Sequence, residues 1–297
     1  MENNYWIYKD CFIFKANFNE SIEDYIETII QYKKLIFSNY NDFESSIQII
    51  ERDDYNNTYF LSQFDQPLNN SLDRLINLTV ICFGQDFNSS LEESLNKLTN
   101  LTILSFGNMF NKPLDNSLCY LTNLTRLTFG YMFNQPLDNS FNHLINLTRL
   151  TFGDLFNKPL NNSLCYLTKL TQLTFGNNFN HPLSNTLCYL TKLEKLTLGC
   201  DFNQELILHS STKILTLDCN NQYLIDSLPN SIEQLNLGYH FKLPLENLPS
   251  SIKKILFDKN SHYNNSLDNL PSEMEQLQLP ERYKLKINNI PVNCEII

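Results

Sequence analysis

Glycine is almost missing from this chain, with seven residues in 297. Six of them (Gly84, Gly107, Gly130, Gly153, Gly176, Gly199) recur every 23 residues, and the seventh, Gly238, follows the same Leu-x-Leu signature. One structural column therefore absorbs them all, leaving none for a dinucleotide turn or a phosphate-cradling loop. Cations are also short: 22 Lys and Arg stand against 32 Asp and Glu, with a net charge of -10 and a pI near 5.0. That balance argues against a nucleic-acid surface, whose affinity rests on neutralised phosphates, and against an anionic membrane. No segment approaches the roughly 20 apolar residues of a membrane span, and Met1 to Lys15 holds no apolar run of signal length. The expected setting is cytoplasmic and not secreted, with no nucleic acid and no membrane among the partners.

Histidine is sparse too. The five (His143, His181, His209, His240, His262) fall in different segments and at different repeat positions, and no pair of carboxylates keeps a repeated spacing. No catalytic residue, no metal ligand and no cofactor is expected from such scatter, since acid–base and metal chemistry need convergent groups. The eight cysteines show no short Cys/His spacings. Cys119, Cys165 and Cys188 differ by 46 and 23 and so share one column, with Cys165 and Cys188 as neighbours. They are expected to be buried reduced thiols, which behave as small hydrophobes.

What the chain does have is a period, and a fixed period over this length predicts a repeat array. Steps of 23 from Phe129 reach Phe106, Phe83, Phe60, Phe37 and Phe14 on one side, and Phe152, Phe175 and Leu198 on the other. A second column reads Phe18, Asn41, Phe64, Phe87, Phe110, Phe133, Phe156, Phe179, Phe202; together the two hold 16 of the 21 phenylalanines. This aromatic content is therefore core. Leu127-x-Phe129 alternates as a short strand with one buried face, and strands repeated by whole coils must run parallel. Gly130 and its equivalents leave that strand at a position suited to positive φ or to close approach of the next coil. The Asn column (Asn88, Asn111, Asn134, Asn157, Asn180, Asn203) is suited to bonding its own and the adjacent coil's backbone. Pairs such as Asn116-Ser117, Asn139-Ser140 and Asn162-Ser163 predict N-caps of a short helical or 3₁₀ back segment. A longer helix is expected only after Ser21, where Ile22, Tyr25, Ile26 and Ile29 share a face.

From about Ile207 the interval shortens: Leu217, Leu237, Phe257 and Leu279 mark strands, and Leu-Pro connectors at 228, 248 and 270 predict extended or 3₁₀ backs. The expected organisation is a single solenoid over 1–297. It has a cap at 1–10, 23-residue coils over 11–207, shorter Leu-Pro-x-Ser-Ile coils over 208–279, and a terminal cap at 280–297 that breaks the pattern.

The units Phe110-Asn111-Lys112-Pro113-Leu114, Phe133-Asn134-Gln135-Pro136-Leu137, Phe156-Asn157-Lys158-Pro159-Leu160 and Phe179-Asn180-His181-Pro182-Leu183 resemble the FNIP repeat, a relative of leucine-rich repeats associated with social amoebae and the giant viruses of amoebae. The resemblance covers roughly residues 60 to 279, although the third motif position is never Ile. It implies an α/β repeat solenoid: a leucine-rich-repeat-like curved array with one parallel β-sheet and short helical, 3₁₀ or extended back segments. For a viral member the setting would be host cytoplasm. Some members carry an N-terminal F-box, for which a register beginning near Phe14 leaves no room. A substrate-recognition role would then need a separate ubiquitin-ligase component.

Only the outward strand face remains for function. Arg126, Arg149, Gln172 and Lys195 precede the strand Phe by three residues, and Tyr131 and Asp154 follow it by two. The Thr ladder beside them (Thr128, Thr151, Thr174, Thr197) is expected on a solvated sheet. A basic and aromatic patch on an acidic chain predicts a non-enzymatic module that binds a protein partner, Arg and Tyr being hot-spot types. The alternative is a structural component of a viral or cellular assembly.

Overall fold

A 23-residue coil closes only if its strand, turns and back segment send their apolar side chains into one interior shared with the coils on either side. The computed structural model, which describes residues 3–38, 40, 42–46 and 62–297, builds such coils in two compact units, Met1–Leu167 and Thr168–Ile297. In the first unit, β1 (Tyr5–Tyr8) folds back antiparallel on β2 (Cys11–Phe14). Then β3 (Lys34–Phe37), β4 (Val80–Cys82), β5 (Ile103–Ser105), β6 (Arg126–Thr128) and β7 (Arg149–Thr151) follow in parallel. The second unit runs parallel through β8 (Gln172–Thr174), β9 (Lys195–Leu198), β10 (Ile214–Leu217), β11 (Gln234–Leu237), β12 (Lys254–Phe257), β13 (Gln276–Gln278) and β14 (Glu295–Ile296). Each unit is a parallel-strand solenoid of the leucine-rich-repeat kind.

The two phenylalanine columns lie inside and stack coil on coil. Phe129 is 5.5 Å from Phe106 and 5.6 Å from Phe152, and it meets Phe133 of its own coil at 4.0 Å, all near-parallel. In the second unit Phe175 stacks on Phe179 and Phe179 on Phe202, and later Phe241, Tyr263 and Tyr283 continue a ring column. A Cβ on Gly107, Gly130 or Gly153 would run into the carbonyl of the glycine one coil below, so close approach is what the column serves. Positive φ falls elsewhere: no described glycine has it, while Asn69, Glu92, Asp115, Asp138 and Asn161 have φ between 40 and 46°.

Polar ladders hold the turns. The Asn134 N–H donates to Asn111 Oδ1 and the Asn157 N–H to Asn134 Oδ1, each at 2.9 Å, and Asn203 repeats the bond to Asn180. A second pair of ladders uses the Asn-Leu-Thr unit: Asn123 Nδ2 donates to the Thr99 carbonyl and Thr125 Oγ1 to the Thr102 carbonyl. The expected caps are corrected. Ser117 and Ser140 donate their hydroxyls to the Glu92 and Asp115 carbonyls of the preceding coil, and the back is a chain of separate i→i+3 turns. A side chain that satisfies a carbonyl one coil away replaces the intrahelical cap. True helices are few among the described residues: α1 (Ile26–Ile29), after a 3₁₀ turn at Glu23–Tyr25, α2 (Ser184–Leu187) and α3 (Gln222–Asp226), with residues 43–46 helical as well. Ile22, Ile26 and Ile29 are buried, as their shared face requires.

Three further expectations change. β3 pairs directly with β4, so Phe37 stacks on Phe83, and Phe18 on Phe64, across 46 positions. The positions Phe60 and Asn41, which counting by 23 places in the two columns, lie outside the described residues. Residues 280–297 continue the winding: β14 pairs parallel with β13, Gln276 opposite Glu295, so the break in motif is not a break in fold. The Cys column is not buried either. Cys119 and Cys165 are half-buried and Cys188 is exposed, because the position follows the inward Leu and turns toward solvent beside exposed Tyr120, Tyr166 and Tyr189.

Phe129 is fully enclosed, so Phe129→Ala should cost about 3 to 5 kcal/mol in urea unfolding. The loss should extend to the adjacent coils, visible as weakened amide protection in the coils of Phe106 and Phe152. A loss under about 1 kcal/mol would mean that the column is not core.

Candidate functional site

The outward sheet face is divided by the chemistry of its strands. Cys11-Phe12-Ile13-Phe14, Leu35-Ile36-Phe37 and Val80-Ile81-Cys82-Phe83 are apolar on both parities, the pattern of strands covered on two faces. Accordingly Cys11, Ile13, Ile36, Val80 and Cys82 form a buried outward cluster, with Trp6, Tyr8 and Ile103 packed against it. Phe43 meets both Trp6 and Tyr8 at 6.1 Å, and the Lys15 and Lys9 ammonium groups sit over those two rings. This end of the face is a second small core. A continuous apolar run instead of alternation was the signal for it.

Beyond Ile103 the face turns polar. β6 and β7 place Arg126 and Arg149 in register, with Thr128 opposite Thr151. The register puts two cationic residues side by side on the outward face, and Arg126 has interactions of its own within the chain. Tyr131 is 47% exposed, and its N–H donates to Asn108 Oδ1, fixing the turn that carries it. Asp154 follows at the same repeat position, half-buried, and has bonds of its own. The Thr ladder is less solvated than expected: Ser105 and Thr128 are buried, and Thr151 is half-buried. The first unit thus brings Arg126, Arg149, Tyr131 and Asp154 onto two neighbouring coils. Gln172 and Lys195 pair in register on β8 and β9 of the second unit. Their column continues there through Ile214, Gln234, Lys254 and Gln276. Exposed ion pairs Lys213–Glu233 (2.8 Å) and Lys253–Glu275 (3.0 Å) lie one residue ahead of it and contribute little, being open to solvent.

The histidines are less scattered than their numbering suggests. His240 and His262 both lie against the Tyr239 ring, at 5.0 and 5.6 Å, and each precedes an aromatic of one stacked column, Phe241 or Tyr263. Counting by 23 hid this, because the coils here are shorter. His240 Nδ1 lies 2.8 Å from Asp218 Oδ2. Among the described residues no group of three or more His, Cys, Asp or Glu is placed to hold a metal ion. Nor is any helix there long and apolar enough to cross a membrane. Burial holds the thiols of Cys11, Cys200 and Cys219 up to about 11, aided at Cys200 by the carboxylate of Asp201. Such thiols are protonated at neutral pH and are poor nucleophiles.

Comparison with known proteins agrees with this architecture. The family model of the FNIP repeat matches residues 202–240 and 220–260, inside the range where the motif recurs. Among solved structures, CroV588 of the giant virus CroV, described as a circular leucine-rich-repeat protein, aligns over 99% of this chain with 24% identity and a TM-score of 0.63. The chain spans 50% of the length of that protein. An internalin of Listeria monocytogenes aligns over 97% of this chain and 86% of its own, with 15% identity and a TM-score of 0.58. No curated protein sequence matches.

The thiol environments predict an order of reactivity. Iodoacetamide at about pH 8 should label exposed Cys188 first and leave Cys11 and Cys219 unmodified until the chain unfolds. Peptide mapping that found Cys219 labelled early in the native protein would contradict the assigned burial.

Proposed function

We propose that this chain, which contains FNIP repeats on a leucine-rich-repeat-like solenoid, binds another protein through the outward sheet face of β5 to β7 and does so without catalysis. Repeat folds of this kind typically serve protein–protein interaction, and extended sheet faces offer many side chains in register to one partner. The observation that carries the reading is the in-register pair Arg126–Arg149 beside exposed Tyr131, on a chain with a net charge of -10. Two guanidiniums in register on neighbouring strands fit a partner that presents carboxylates. Tyr131 supplies rigid apolar area at the same place, and Asp154 adds an acceptor that fixes orientation. Gln172 and Lys195 are the corresponding candidates of the second unit. All eight cysteines are free, which suits a reducing compartment such as the cytoplasm.

The Arg126→Glu/Arg149→Glu variant should lose its principal partner in affinity capture from the native cell. With that partner purified, affinity should fall at least about tenfold, or about 1.4 kcal/mol. Far-UV circular dichroism should be unchanged, both residues lying on the outward face. An unaltered set of captured proteins would refute the assignment of this face.

A further inference from the structure

The second unit carries a local reversal of charge that the sheet-face reading does not use. At its later coils the ring column runs Phe241, Tyr263, Tyr283, so the residues just before these rings are His240, His262 and Arg282, and those just after are Lys242, Asn264 and Lys284. In earlier coils the position after the ring belongs to the Asn ladder, and Lys242 still receives that bond, its N–H donating to Asn220 Oδ1 at 2.7 Å. Lysine has no acceptor to pass on. Lys242 therefore passes no such bond on, and a second lysine stands at the same repeat position in Lys284. A structural amide has been replaced by a cation where the fold would be better served by Asn, which is where function is to be sought.

His262, Tyr263, Asn264, Arg282 and Lys284 line a cavity of about 490 Å³. Lys34, Arg74, Lys213 and Lys253 each have a carboxylate partner, whereas among the described residues Arg282 and Lys284 are in no ion pair. The nearby acids are Glu281, next in sequence, and Asp268, whose oxygens already accept the Asn288 N–H (2.6 Å) and the Ser266 hydroxyl (2.8 Å). Two cations that line the same hollow as an amide can serve the oxygens of a dianion, Arg through its planar fork and Lys as a point charge. The hollow is open, with His262, Asn264, Arg282 and Lys284 exposed, and it is larger than a bare ion fills.

We propose that the cavity between the coils of Tyr263 and Tyr283 binds a phosphorylated small molecule, with its phosphate held by Arg282 and Lys284 and supported by Asn264 and His262. The site is on the second unit and independent of the Arg126–Arg149 face. Its affinity is modest, because the cationic side chains remain open to solvent and to screening.

The full-length chain is titrated by calorimetry with inorganic phosphate, ribose 5-phosphate and citrate at fixed ionic strength. Saturable binding of ribose 5-phosphate, tighter than that of phosphate or citrate, is expected. The Arg282→Gln/Lys284→Gln variant should weaken it at least about tenfold, while Lys192→Gln, which removes an exposed cation outside the cavity, leaves it unchanged. Each single variant is measured as well, with thermal unfolding showing that the fold is intact. No saturation by ribose 5-phosphate, or equal weakening by Lys192→Gln, would overturn the site. Phosphate or citrate binding as tightly as the ester would overturn the class of ligand.

Discussion

Registry between successive coils is the constraint from which the rest of the structure follows. A single coil of this chain cannot bury Phe129 or satisfy the carbonyls of its turns, and both needs are met by the same position one coil away. The ring stacks supply the apolar part, with Phe106, Phe129 and Phe152 near-parallel at about the coil spacing. The Asn ladder supplies the polar part, since each side-chain oxygen accepts the backbone N–H of the next coil's equivalent residue. Glycine enforces the approach by leaving no Cβ between the two backbones. These three devices act at the same spacing, so a change at one is felt at the others.

Such registry also explains why chemistry is hard to find along most of the chain. Asn, Thr and Ser, which elsewhere suggest catalytic or glycosylated positions, are engaged here in coil-to-coil bonds: Asn123 with the Thr99 carbonyl, Thr125 with the Thr102 carbonyl, Ser117 with the Glu92 carbonyl. Function is then best sought where the ladder is broken or the face changes character. Two such places stand out. One is the boundary at Ile103, where a buried outward cluster gives way to Arg126 and Arg149. The other is the coil of Lys242, a residue that receives a ladder-type bond and cannot pass it on.

Much of the fold was legible because its cause is periodic. Phe129 and Asn134 could be assigned to core and ladder by counting, and Gly130 to close packing by chemistry. The failures have physical reasons as well. The direct pairing of β3 with β4 was missed because an addition of one repeat length, 46 positions between paired strands, is invisible to a count in steps of 23. Ser117 looked like a cap because capping and cross-coil bonding use the same residue types. Val80 and Cys82 are buried on the outward face because their strand is apolar on both parities, which a reading by alternation alone does not show. The His240 and His262 relation was lost when the period shortened. Of the sheet patch, counting foresaw which residues share a column, and it could not foresee that Ser105 and Thr128 beside it are buried.

The most direct test of registry is hydrogen exchange at the backbone amides of Asn111, Asn134 and Asn157, which lie in turns outside any strand. If coil-to-coil bonds hold the turns, these amides exchange at least about a hundredfold more slowly than unstructured ones, an opening free energy near 3 kcal/mol. They should also lose protection together with the strand amides of their own coils. Exchange at the unprotected rate, while the strands stay protected, would contradict the account and confine the order to the sheet.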